Sequence, residues 1–205
     1  SQDGRVRLAA GYDPDPAKRE AAAGRFSMAT SFERAEEVLA RDDLDIVLVL
    51  TSMNEHGPLA SAALAAAPGL LFCAPHVALS PTYREMHRRV RAGEIGDLHA
   101  GRARYGWSGP WWGRWFYESG GGALFDLGVY NLTSLCGFFG SVRRVTAMAG
   151  TAVPKREAEG EMVTVRAEDN AQVLLDFGGA RFASITTGFT MQKYKSPAVE
   201  LYGSR

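Results

Sequence analysis

The chain has 205 residues, of which 46% are apolar and 22% charged, and its formal net charge is zero. This composition is typical of a globular protein with one large domain or two small ones, and a balanced charge argues against a nucleic-acid partner or an anionic membrane surface. No apolar run approaches the roughly 18–20 residues of a membrane span. The N-terminal stretch SQDGRVRLAAGYDPD lacks the hydrophobic segment of a signal peptide.

The first half of the chain alternates strand and helix patterns. Strands are predicted at 5–12, at the aliphatic run 45–50 and at 70–74. Helices are predicted at 15–26, closed by Gly24, after a capping box from Thr30 to Glu33, at 57–66, and at 80–93 with Ser80 as its cap. This alternation predicts a doubly wound parallel sheet over residues 1–96.

The pattern changes after Gly96, which predicts a second domain over residues 97–205. A strand at 97–107 is followed by an aromatic loop at 105–117 and by a largely apolar helix that begins near Ala123. Further strands are expected near 142–150, 161–167, 170–177, 181–189 and 197–203, with a hairpin turn at Gly178-Gly179. The second domain is therefore predicted to be α+β with a mostly antiparallel sheet.

Two polar residues interrupt the apolar helix ALFDLGVYNLTSL. Asp126 and Tyr130 are four residues apart, so they lie on one face of a helix, directly after the triplet Gly120-Gly121-Gly122. An aspartate in such a segment is costly to bury unless it is paired. The pair is either a functional site or a capping aspartate beside a tyrosine whose hydroxyl reaches solvent.

Four stretches of the chain resemble the Gfo/Idh/MocA oxidoreductases. They are AAGYDPDPAKREAAA, LDIVLVLTSMNEHGPLASAALAA, RAGEIGDLHAGRARYG and GGGALFDLGVYNLTSLCGFFGSVRRV, in the family's order. The resemblance implies a Rossmann-like dinucleotide-binding domain followed by a substrate-binding and oligomerisation domain with a large open sheet. Members are typically NAD(P)-dependent dehydrogenases of sugars, inositols or related polyols.

The chain also departs from the family pattern at its start, at one internal motif and at its end. At the end, VELYGSR resembles a strand that further chain would follow, so that the second domain is expected to be C-terminally truncated. The family's first strand and its G-x-G-x-x-G turn, which holds the dinucleotide pyrophosphate, have no counterpart before the strand predicted at 5–12. The Glu-Lys-Pro motif, whose lysine is usually the main acid–base group, is also absent, and no lysine occurs between Lys18 and Lys155. We therefore expect these residues to be part of a longer or gapped enzyme, with weak or absent catalysis by this polypeptide.

The resemblance places five residues near the cofactor. Asp13, after the strand at 5–12, would hydrogen-bond the adenosine ribose and favour NAD over NADP, although a turn role also explains it. Thr51, Ser52 and His56 follow the run 45–50 at a strand's carboxyl end, where such sheets bind ligands. His76 follows the strand at 70–74, where the family often has an asparagine. A plain loop or helix-start role is the alternative for these histidines.

The same resemblance points to a sugar or polyol site in the second half. Asp126 and Tyr130 match the family's Asp and His/Tyr pair, which faces the nicotinamide and would position the substrate. Trp107, Trp111 and Trp112 in the aromatic loop could stack on sugar C–H faces, or instead pack the loop or a subunit contact. No metal site is predicted.

The sequence therefore predicts hydride transfer between a sugar, inositol or polyol hydroxyl and NAD. The alternatives are an NAD-dependent glycosidase or lyase that uses transient oxidation, and a non-catalytic ligand-sensing or assembly member of the same fold. The second-domain sheet is a candidate interface for a homodimer or homotetramer. The two cysteines, Cys73 and Cys136, lie far apart in apolar contexts, which favours free thiols and a cytoplasmic location.

Overall fold

The computed structural model describes residues 4–67, 69 and 77–205. The chain forms two compact units, residues 1–71 and 72–205. In the first unit β1 and β2 pair in parallel, as expected for a strand–helix–strand unit. Its helices and strands are β1 (Ala10–Tyr12), α1 (Pro16–Phe26), β2 (Thr30–Phe32), α2 (Ala35–Leu39) and α3 (Met53–Ala66).

Two local predictions in the first unit are wrong. Thr30 does not cap a helix but opens strand β2, and α2 begins five residues later, where the Arg34 N–H donates to the Glu37 carboxylate at 3.2 Å. Gly24 does not end α1, which continues to Phe26 and stops at Ser27 in the left-handed conformation. In both cases pairing or helical hydrogen bonds extend through a residue that local signals favour as a boundary.

The aliphatic run 45–50 is the largest departure from the prediction. It is neither a strand nor buried: Ile46 is 78% and Leu50 84% exposed. A β-strand forms only by hydrogen-bonding to a neighbouring strand, and among the described residues of this unit only β1 and β2 pair. Hydropathy therefore identified a segment that could be buried, but not the partner that would bury it.

The end of the first unit is described only in part. The helix predicted at 57–66 begins earlier, at Met53, and continues through Pro58. The predicted strand at 70–74, Cys73 and the site candidate His76 lie outside the described residues.

The first α-helix among the described residues of the second unit is the amphipathic helix that the sequence predicted at 80–93. Its cap is Ser80, whose hydroxyl accepts the Tyr83 N–H, and Gly93 follows the helix end with a φ of +73°. The remaining elements also lie near their predicted positions, except that β5 was not predicted. They are α4 (Pro81–Arg91), β3 (Leu98–Gly106), α5 (Val129–Phe139), β4 (Arg144–Gly150), β5 (Lys155–Ala158), β6 (Glu161–Thr164), β7 (Asn170–Gly178), β8 (Arg181–Gly188) and β9 (Val199–Gly203).

Five strands of this unit form one mixed sheet in the order β4-β7-β8-β3-β9. Only β3 and β8 run parallel, so the sheet is mostly antiparallel, as predicted. The predicted hairpin joins β7 to β8 through Gly178 and Gly179, both of which have positive φ. A separate two-stranded hairpin is formed by β5 and β6.

One face of the five-stranded sheet carries the core. Alternate residues of β7 and β8, including Phe177 and Ile185, pack there with Leu135 and Phe139 of α5. The opposite face keeps large side chains in solvent, among them Leu174 and Phe182. No helix of the described residues is long and apolar enough to cross a membrane.

Candidate functional site

Asp126 lies in a π-helical turn, Leu124–Gly128, that runs directly into α5. Single π-helical turns inside helices are frequent at functional sites, because the extra residue breaks the regular hydrogen-bond ladder. No other described side chain pairs with the Asp126 carboxylate, and burial raises its pKa to about 6. The carboxyl group is therefore partly desolvated, ionised at neutral pH and available to a ligand.

Tyr130 follows Asp126 by four residues and contacts a second tyrosine. The ring of Tyr105 meets the ring of Tyr130 edge to face, with 5.7 Å between centroids and an angle of 77°. Burial, followed by the nearby Tyr130 and Asp126, raises the pKa of Tyr105, which keeps its hydroxyl protonated and able to donate. Asp126, Tyr130 and Tyr105 thus form one cluster.

Tyr105 was not among the site residues predicted from the sequence. The strand prediction at 97–107 carried the necessary signal, because alternation places Tyr105 on the same sheet face as Ala103, which is buried beneath α5. A tyrosine at the end of a strand whose inner face meets the helix of Asp126 was a candidate by position.

The glycine triplet brings the chain close to its own backbone. The Gly122 N–H donates to the Phe116 carbonyl at 2.8 Å, and a Cβ at Gly121 would lie 2.7 Å from that same oxygen. The close approach that the glycines allow is therefore to the aromatic loop. This packing joins the segment that carries Asp126 to the segment that carries the tryptophans.

The aromatic loop presents two indole rings to solvent. Trp111 is 68% and Trp112 52% exposed, and their rings meet at 90° with 5.6 Å between centroids. Trp107 also stacks on Trp112, with 5.3 Å between ring centroids. The exposed parts of Trp111 and Trp112 therefore leave aromatic surface in solvent.

A buried ion pair anchors this loop. The Asp169 carboxylate, fully buried, accepts hydrogen bonds from Arg156 Nη2 at 2.9 Å and from the backbone of Ala152 and Val153 at 2.7 and 3.0 Å. Arg156 Nη1 donates to the Ser108 carbonyl at 2.7 Å. The pair was not predicted from the sequence because β5, which carries Arg156, has no strand signal. The ion pair therefore holds the aromatic loop to the β5–β6 hairpin.

Asp13 lies in the first unit, directly after β1. Its Oδ1 accepts the Asp15 N–H at 2.9 Å, and its backbone carbonyl accepts Arg19 Nη1 at 2.7 Å. The second carboxylate oxygen has no hydrogen-bond donor among the described residues. Asp13 serves the turn, as one alternative proposed, and still keeps an oxygen that could accept a ribose hydroxyl.

Thr51, Ser52 and His56 come together at the start of α3. His56 Nε2 lies 2.7 Å from the Thr51 carbonyl oxygen, and Ser52 occupies the position before the first helical residue without capping it through its side chain. The Glu55 N–H donates to the Ser52 carbonyl at 3.0 Å, whereas the N–H groups of Met53 and Asn54 have no acceptor among the described residues. The remaining cofactor candidate, His76, lies outside the described residues. The described residues contain no group of three or more His, Cys, Asp or Glu side chains that could hold a metal ion.

Two family models match the chain. Residues 1–92 match the GFO/IDH/MocA oxidoreductase family model of the NAD-binding Rossmann fold, and residues 83–205 match the model of the GFO/IDH/MocA C-terminal domain. Together they span the whole chain. A comparison with curated protein sequences finds no match.

Solved structures with the same fold include three oxidoreductases of low sequence identity. Levoglucosan dehydrogenase in complex with NADH and levoglucosan is 17% identical, with a TM-score of 0.82 over 97% of this chain and 62% of that chain. An NAD-binding oxidoreductase from Klebsiella pneumoniae is 21% identical, with a TM-score of 0.76 and the same two coverages. A protein from Desulfitobacterium hafniense, described as an NADPH-dependent oxidoreductase, is 19% identical, with a TM-score of 0.75 over 99% of this chain and 65% of that one. The chain therefore spans less than two thirds of the length of these structures.

Proposed function

The chain belongs to the GFO/IDH/MocA oxidoreductase family, and we propose that it oxidises a hydroxyl of a sugar or related polyol with NAD as hydride acceptor. The observation that carries this proposal is the unpaired, half-buried Asp126 beside Tyr130 and Tyr105. When bound, the nicotinamide supplies the hydride chemistry. The residues of this chain must then bind the polyol and remove the hydroxyl proton.

We assign the removal of the substrate hydroxyl proton to Asp126. A general base works best when its pKa lies near the working pH, and burial holds the pKa of Asp126 at about 6. The Glu-Lys-Pro lysine of the family has no counterpart in this sequence. An Asp126 carboxylate oxygen within hydrogen-bonding distance of a substrate hydroxyl would accept its proton as the carbon–hydrogen bond breaks.

The two tyrosines would orient the substrate. Each tyrosine hydroxyl can donate a hydrogen bond to a substrate oxygen while its ring contacts C–H groups, and the raised pKa of Tyr105 keeps its hydroxyl protonated. The exposed pair Trp111 and Trp112 offers a second aromatic surface of the same kind. Several hydroxyl donors next to aromatic rings favour a polyhydroxylated ring over a simple alcohol, and the related levoglucosan dehydrogenase acts on a sugar derivative by its name.

Asp13 supports NAD as the cofactor. Its unpaired carboxylate oxygen would accept a ribose hydroxyl, whereas its negative charge would repel the 2′-phosphate of NADP. Thr51, Ser52 and His56 at the start of α3 would contact the same nucleotide. Removing the charge in Asp13→Asn should therefore weaken NAD binding while improving NADP binding relative to it, as measured by isothermal titration.

The proposal is tested by following NADH formation at 340 nm with a panel of cyclic polyols and sugars at high protein concentration. We expect a slow but saturable rate that rises with pH through about 6, and a loss of about 100-fold or more in Asp126→Asn. Equal rates for the wild type and this variant would contradict the role of Asp126. Release of aglycone from an aryl glycoside without net NADH would instead identify a glycosidase or lyase, and ligand binding without turnover would identify a sensor.

A further inference from the structure

Glu168 makes two contacts with the segment that precedes Asp126. Its Oε1 accepts the Leu124 N–H at 2.9 Å, and its backbone carbonyl accepts the Ala123 N–H at 3.0 Å. Glu168 lies between β6 and β7, 44 residues further along the chain, so the contacts are long-range. One residue therefore holds both N–H groups that follow the glycine triplet.

Gly122 is shaped around the same carboxylate. Its φ is +102°, a conformation that other residues rarely adopt, and a Cβ at this position would collide with both carboxylate oxygens of Glu168. The Gly122 carbonyl in turn accepts the Asp126 N–H at 3.1 Å. A continuous set of contacts thus leads from Glu168 through Gly122 to the backbone of Asp126.

We propose that Glu168 is a positioning residue: its carboxylate fixes the glycine loop in the conformation that keeps Asp126 half-buried beside Tyr130. This inference rests on the proposed function only for the catalytic role of Asp126 as the base that accepts the substrate proton. Without the carboxylate, the Leu124 N–H loses its partner and the space beside Gly122 opens, which admits water to the Asp126 side chain.

The titration of Asp126 reports this positioning directly. The titratable groups around it are Tyr105 of β3 and Tyr117 of the turn that precedes the glycine triplet, both with pKa values raised by burial, and Tyr130 of α5. Burial is the cause of the raised pKa of Asp126. A looser loop would lower that pKa by hydration, whereas loss of a nearby negative charge would lower it by electrostatics, so the two effects need separate variants.

A matched pair of substitutions separates the effect of the length of the Glu168 side chain from the effect of its charge. Glu168→Gln keeps the length and an oxygen for the Leu124 N–H but removes the charge, whereas Glu168→Asp keeps the charge but is one methylene too short. The pKa of Asp126 is measured in the 205-residue chain by ¹³C NMR of its carboxyl carbon, assigned by its loss in Asp126→Asn. Glu161→Gln, at an exposed site in the same unit, is the control.

We expect the wild type, Glu168→Gln and the control to titrate at about 6, and Glu168→Asp to titrate about one pH unit lower or more, towards an ordinary aspartate. An unchanged pKa in Glu168→Asp overturns the proposal. A fall in Glu168→Gln as large as in Glu168→Asp also overturns it, because the variant that keeps the side-chain length would then behave like the variant that loses it. Both substitutions are mild, and far-ultraviolet circular dichroism verifies that each variant is folded.

The result is independent of catalysis. If Asp126 titrates as described but Asp126→Asn does not slow NADH formation, the proposed function fails while Glu168 still positions the loop. If Asp126→Asn abolishes NADH formation but the pKa of Asp126 is unchanged in both Glu168 variants, only the positioning role of Glu168 fails.

Discussion

Replacing Asp169 by Asn should strongly destabilise the second unit. The carboxylate accepts three hydrogen bonds, from Arg156 and from the backbone of Ala152 and Val153, and its side chain is 0% exposed. An amide keeps one acceptor oxygen and turns an NH₂ group towards a donor. It also leaves the Arg156 guanidinium, whose side chain is 11% exposed, without a counter-charge. Breaking such a pair costs about 3–5 kcal/mol.

The assay is urea unfolding followed by tryptophan fluorescence. All four tryptophans lie between residues 107 and 115, so the signal reports the second unit alone. With a urea dependence of about 2 kcal/mol per molar, a loss of about 4 kcal/mol lowers the midpoint by about 2 M. Glu161→Gln is the matched control, because Glu161 and Arg114 join the same loop to the same hairpin through an exposed ion pair. A midpoint for Asp169→Asn as close to the wild type as that of the control would refute the reasoning.

Three further predictions concern the site and the open face of the sheet. Asp126→Asn should stabilise the protein by about 2 kcal/mol at pH 7.5 and not at pH 3.5. The reason is that a carboxyl pKa raised to about 6 makes the folded state lose stability as pH rises from about 4 to 6. Urea titrations at both pH values check the sign. Gly122→Ala should lower the thermal midpoint more than Gly160→Ala, since both have positive φ but a Cβ at Gly160 meets nothing within 4 Å; equal losses would exclude a Glu168 clash. If the protein self-associates through the exposed face around Leu174 and Phe182, Phe182→Glu should reduce the mass measured by light scattering to that of one chain; a mass that stays multimeric would place the interface elsewhere.

Elements whose signals are local could be predicted from the sequence. Helix α4 was delimited by its own cap and its terminal glycine, and the β7–β8 hairpin by alternation on both sides of Gly178-Gly179. The run 45–50 failed because hydropathy shows only that a strand would be buried. Strand β5, which is short and polar, has no signal of its own because its stability comes from β6 and from the Asp169 contact.

In the candidate site, too, the residues that are close in the sequence could be predicted and the distant ones could not. Helical spacing was enough to place Asp126 and Tyr130 together, and both lie in the continuous helical segment Leu124–Phe139. The residues that set their environment come from distant parts of the sequence: Tyr105 from β3 and Glu168 from the segment before β7. A single sequence contains no record of such contacts, so it gave the pair Asp126 and Tyr130 without the residues that surround them.

There is an energetic reason why the residues around Asp126 come from distant parts of the sequence. A carboxylate whose pKa is raised by burial costs stability at neutral pH, so Asp126 can be kept half-buried only if the surrounding backbone cannot relax and hydrate it. The Asp169 ion pair fixes the aromatic loop, Phe116 of that loop holds Gly122, and Glu168 holds the residues on its other side. These contacts oppose the backbone relaxation that would hydrate Asp126. Breaking the ion pair between Asp169 and Arg156 should therefore lower the pKa of Asp126, even though no hydrogen bond joins the carboxylates of Asp169 and Asp126.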